Sequence, residues 1–195
     1  MTSLERILKR KKIGFFFVLY FFASIIYAQP SIDRYKEKGN NHIRIIERIF
    51  KKYPINLKHK SDFEKIKSDW NETVKDLNLT QAKKRKEAQN RLKEIYKKVN
   101  KSLETICGIL LSYGNDLILN FQRRLDEENS GTIDKEKYAN RFQVSRQEFA
   151  RAQKAFRNQQ YDYSAHLFDR GIEILAKTHK ALNWTVPPAY RNLIK

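Results

Sequence analysis

The sequence predicts an all-α protein: a long basic helix plus helical hairpins, the last of them closing the chain. Three observations carry this expectation. Apolar residues recur at intervals of three and four along most of the chain after residue 31, the period of a helix with one buried face. Only 6 Gly and 4 Pro occur in 195 residues, too few to punctuate the short strands of a sandwich or barrel. Hydrophobic residues make up 41% and aromatics 12%, which separates the chain from disordered sequences of similar charge. A single Cys excludes a disulfide framework. The charge is what asks for a partner: 40 Lys and Arg against 22 Asp and Glu leave +18 at pH 7.

Residues 1–28 read as an export signal. Arg6, Lys9, Arg10, Lys11 and Lys12 precede an unbroken apolar stretch over 13–27, and Ala28-Gln29-Pro30 ends it. The basic cluster holds the start of the chain on the cytoplasmic side while the apolar run enters the bilayer. Cleavage is expected between Ala28 and Gln29, although Ile26 stands where a small residue is usual. A retained membrane anchor is the alternative. A buried cytosolic helix is disfavoured, because nothing charged interrupts the stretch. Either leading reading makes the rest of the chain periplasmic or secreted. Five basic residues and one acid leave with the signal, so +14 of the +18 remains.

Residues 29–60 form an amino-terminal helical region. Its stripe is Ile32, Tyr35, Ile43, Ile46, Ile49, Phe50 and Tyr53, with Gly39-Asn40-Asn41 as a point where the helix could divide. Pro54 ends it, lacking an amide proton and clashing with the preceding turn. The next segment, 61–125, opens on Ser61-Asp62-Phe63-Glu64, which has the pattern of a capping box. Phe63, Ile66, Trp70, Val74 and Leu77 follow on one stripe, and Asn78-Leu79-Thr80 is either a brief interruption or no break. Leu92, Ile95, Val99, Leu103, Ile106, Leu110, Tyr113, Leu117 and Phe121 then advance at about 3.6 residues per step. A helix over 80–125 would be roughly 68 Å long, which suggests a rod or arm. Gly108 and Gly114 either weaken it or mark a close crossing. Cys107 lies in an apolar run and reads as a small buried hydrophobe, with an intermolecular disulfide as the sharper alternative.

The basic face of this helix is Lys83, Lys84, Arg85, Lys86, Arg91, Lys97 and Lys98. In a cytosolic protein such a stripe would suggest nucleic acid. Export removes the chain from most nucleic acid, which leaves a solvated face, an anionic envelope surface or an acidic envelope protein.

Two segments resemble known families. The stretch 126–137 resembles an EF-hand loop, with ligand positions falling on Asp126, Glu128, Ser130, the carbonyl of Thr132 and Asp134. Gly131 sits at the sharp turn. Lys137 stands where the family has a two-oxygen Glu, and no second loop is present. The resemblance implies calcium; the alternative is a plain connector in which Asp134 caps the next helix. No other cofactor is implied. The domain at 126–186 ends in two helices that resemble one tetratricopeptide (TPR) pair. Ala152, Tyr161, Ser164, Phe168 and Gly171 fall in order on its small and aromatic positions, while Gln159 and Ala176 depart from the usual Gly and Pro. The resemblance implies a groove that holds a partner segment. An ordinary αα-hairpin is the alternative. Residues 187–195 are a tail.

No catalytic motif emerges. His42, His59, His166 and His179 are scattered, without zinc spacing or a paired nucleophile. The expected function is therefore non-catalytic: an exported scaffold or protein–protein interaction protein of the bacterial cell envelope. Signal, size and helical texture are similar to those of the periplasmic flagellar sheath (coiling) proteins of spirochaetes. A calcium-responsive envelope module and an envelope enzyme without a recognisable motif are the alternatives.

Overall fold

The computed structural model describes residues 31–127 and 135–194, which form five α-helices and a short 3-10 helix with no strand among them. They are α1 (Ile32–Lys52), α2 (Leu57–Asp76), α3 (Ala82–Glu127), α4 (Lys135–Arg157), α5 (Tyr161–Ala181) and the 3-10 helix Pro188–Ile194. The signal and its junction at Ala28 and Gln29 lie outside the described residues. No described helix is long and apolar enough to cross a membrane. Lys36–Lys195 is one compact unit.

α1 does not divide at Gly39. A Cβ there would overlap the Trp70 ring, so glycine is what lets the largest side chain of α2 lie on the helix backbone. Trp70 is fully buried, and its Nε1 donates to Asn40 Oδ1 at 2.9 Å. The Gly-Asn pair thus builds a seat for an indole and does not break the helix.

α2 begins earlier than the capping pattern at Ser61 suggests. Asn56 has extended backbone angles and its Oδ1 accepts from the Lys58 amide at 2.8 Å, satisfying an orphan donor one turn ahead. Ser61 and Glu64 then sit inside the helix, exposed. The interruption at Asn78-Leu79-Thr80 is real: Asn78 and Leu79 donate back to Lys75 and Asp76 in a tight turn.

α3 has 46 residues, about 69 Å of helix. Its buried side runs from Ala88 to Phe121. α2 packs against it, and α5 and α4 cover its carboxyl half, so it is the spine of a bundle and not a projecting arm. Gly108 meets open space, whereas a Cβ on Gly114 would overlap Phe149 of α4.

α4 and α5 form an antiparallel hairpin, the most extensive helix contact. Small residues bring the backbones close: Ser164 Oγ donates to the Ala152 carbonyl and Ser145 Oγ to the Gly171 carbonyl, both at 3.0 Å. Phe149 fits against Gly114 of α3 and Gly171 of α5 at once. The turn places Gln159 at φ 59°, with the Gln160 amide donating to the Ala155 carbonyl at 3.0 Å. That is a helix end which favours glycine. Asn183 closes α5 the same way at φ 55°. The tail then folds back, burying Val186, Tyr190 and Leu193.

Candidate functional site

Among the described polar groups, some are buried and fasten helices together, and others are exposed. Asp169, in the middle of α5, belongs to the first. It is 5% exposed, accepts from Tyr53 Oη at 2.9 Å, and takes both Lys52 contacts at 2.9 and 3.1 Å. Arg48 adds a longer ion pair at 3.8 Å. Burial and the neighbouring Asp169 charge push the Tyr53 phenol well above its ordinary pKa, so it stays a donor. A ladder extends from this latch. Tyr53 packs near Tyr113, whose hydroxyl donates to the Pro54 carbonyl. Tyr190 Oη donates to the Tyr113 carbonyl at 2.8 Å. His166, flanked in sequence by Asp162 and Asp169, is exposed, and Asp169 is committed to α1.

The groups that could do chemistry are displaced away from it. Cys107 is fully buried, hydrogen-bonds to the Tyr161 carbonyl at 3.3 Å, and has its thiol pushed up to about 12 by burial. A thiol kept protonated and shielded is a poor nucleophile. Burial lowers the pKa of His42, which stacks on Tyr96, and of His179. His179 Nδ1 lies 3.0 Å from the Leu175 carbonyl, which only accepts, so Nδ1 carries the proton. Nε2 is buried without a hydrogen-bond partner. Its ring stands edge-on to Phe121 and Trp184. No group of three or more His, Cys, Asp or Glu among the described residues is placed to hold a metal.

Of the EF-hand-like positions, Asp126 is exposed in the last turn of α3, and Glu128, Ser130, Thr132 and Asp134 lie outside the described residues. Of the TPR-like set, Ala152, Ser164, Phe168 and Gly171 are buried in the helix crossing and only Tyr161 is partly exposed. These residues close the hairpin and do not line an open groove, because their small side chains are what draws the two backbones together.

The accessible groove lies elsewhere on the same hairpin. Asn140, Arg141 and Val144 of α4, with Ile174, Lys177 and Thr178 of α5, line a mainly apolar depression of about 460 Å³. Val144 is 44% exposed; Arg141 and Lys177 contribute to the lining, and Lys177 also pairs with Glu173 at 2.6 Å. Sequence reasoning missed it. Val144 and Ile174 lie off the apolar stripes, on opposite helices, and only the fold pairs them. A second depression, about 320 Å³, is lined by Phe50 of α1, Phe63 and Ile66 of α2, and Lys98, Lys101 and Ile106 of α3.

All seven residues of the basic face are exposed. Arg91 reaches Glu72 at 3.3 Å and Lys97 reaches Glu94 at 2.8 Å. Among the described residues no acid forms an ion pair with Lys83, Lys84, Arg85 or Lys86, and the first turn of α3 holds no acid. No protein-family model, curated protein or solved structure matches this chain.

Proposed function

We propose that this chain is an exported, non-catalytic interaction protein of the bacterial cell envelope. Its TPR-like α4–α5 hairpin holds an acidic, amphipathic segment of a partner, and the basic end of α3 meets an anionic surface. The observation that carries the reading is the α4–α5 groove, whose mainly apolar lining includes the cations Arg141 and Lys177. An amphipathic helix recognised by a groove needs that combination: apolar anchors on one face and charge at the rim. The close-packed crossing beneath supports it by making the floor rigid, which reduces the ordering cost of binding. The buried, reactivity-suppressed Cys and His favour interaction over catalysis.

A photo-crosslinking residue at Val144, compared in cells with one at the exposed Leu119 of α3, tests the proposal. One defined product is expected from position 144, lost when Arg141→Glu and Lys177→Glu are combined. The same products from both positions, or none from 144, would remove the groove as the partner site.

A further inference from the structure

The amino end of α3 is electrostatically out of place. Helix amino termini carry a partial positive charge and favour acids, yet Lys83, Lys84, Arg85 and Lys86 occupy this one. Between residues 82 and 101 there are nine Lys or Arg and two Glu, whereas the facing α2 holds five of each sign among Lys, Arg, Asp and Glu. The first six residues of α3 are all exposed, so these cations are open to solvent. The turn before them carries Leu79, 41% exposed, at the apex of the α2–α3 hairpin.

Four successive helical residues step about 100° each, so the four cations encircle the helix and do not line one side. A stripe fits a partner helix or a groove. A ring around a helix end fits a layer of anions met end-on, and an exposed leucine beyond the ring fits a layer with an apolar interior. We propose that the apex of the α2–α3 hairpin, residues 77–86, docks on anionic phospholipid headgroups, with Leu79 entering the interface and Lys83, Lys84, Arg85 and Lys86 contacting phosphates. This deepens the anionic-surface half of the proposed function and rests on it. It involves a different face from the Val144 groove, so crosslinking at Val144 can fail while the apex still binds lipid, and the reverse.

The test is flotation of the full chain with vesicles of phosphatidylcholine alone or with about one-third phosphatidylglycerol. Any apolar contribution from elsewhere in the chain acts on both, and the charge-reversal variants separate the apex from basic residues elsewhere, the cluster at 6–12 included. A preference of at least about tenfold for the anionic vesicles is expected from several basic residues near the surface, disappearing near 0.5 M salt. K83E/K84E/K86E should reduce the ratio to about twofold or less without lowering thermal stability, because acids suit that helix end. K58E/K65E/K154E changes the net charge equally at exposed sites and should keep the preference. Leu79→Ser should weaken binding to both vesicle types. Equal loss in the two triple variants would reduce the effect to overall charge and overturn the proposal. So would a wild-type ratio near one. Equally tight binding to a polyglutamate peptide, with Leu79→Ser silent, would assign the apex to an acidic protein instead.

Discussion

The two helical hairpins of this molecule solve the same packing problem with opposite materials. In α4–α5, small residues and side-chain-to-backbone hydrogen bonds draw the helices together, and α5 buries eleven residues. In α2–α3 the partner helix buries only Phe63, Trp70 and Thr73, contact is made by long side chains, and ion pairs such as Arg91–Glu72 lie at the surface. Surface pairs of this kind contribute at most about 1 kcal/mol. The comparison separates two uses of a helix pair. One is a rigid platform and the other a carrier of charge. Each region also holds one of the two tryptophans, Trp70 beside α1 and Trp184 beside α5, so fluorescence can report on them separately.

The largest expected effect is at the platform. Phe149→Ala removes the ring shared by Gly114 and Gly171 and should cost about 3–5 kcal/mol, read from denaturant midpoints. Phe63→Ala, beside an existing depression, should cost less. Similar losses would abolish the distinction between the hairpins. Asp169→Asn tests the link between the regions. It leaves Lys52 and Tyr53 with a neutral acceptor and should cost about 2–3 kcal/mol, with the Trp70 and Trp184 signals unfolding in two steps. Coincident transitions would show that the latch does not couple them. Gly39→Ala forces the Trp70 ring off α1, at about 1–3 kcal/mol, and should shift the Trp70 signal first.

Acid provides a gentler test. The folded pKa of His179 and of His42 lies below the ordinary 6.5. The unfolded chain therefore binds more protons as pH falls through that value, and stability present above about 6.5 is lost progressively below it. A urea midpoint that falls between pH 7.5 and 5, and falls less in His179→Phe, is the expected result; a flat profile would contradict it. The smallest effect is a gain. Gln159→Gly relieves a left-handed backbone angle and should stabilise by roughly 0.5–1 kcal/mol, with no gain if the turn hydrogen bond already offsets the strain.

Helix content and the long spine were legible because period and length are local properties. The expected helix over 80–125 is observed as Ala82–Glu127. The start of α2 was misread because two capping signals compete there, and Asn56 acts first. The role of Gly39 was open in the sequence for a different reason. A glycine that weakens a helix and one that receives an indole look alike until the opposing residue is known. The Asp169 latch spans 116 residues to Tyr53, and an acid within an apolar helix announces burial without naming its partner. The TPR-like positions identified the crossing correctly as a place of small residues, but not which side of it stays open.

Phe149 has a consequence for the order of assembly. Its ring lies against Gly171 from its own hairpin and Gly114 from α3 together, so a hairpin closed in isolation would leave one side of the ring uncovered. α3 precedes α4 and α5 along the chain and emerges first during synthesis. The hairpin then closes on a surface already present, and folding and docking of the platform become a single event.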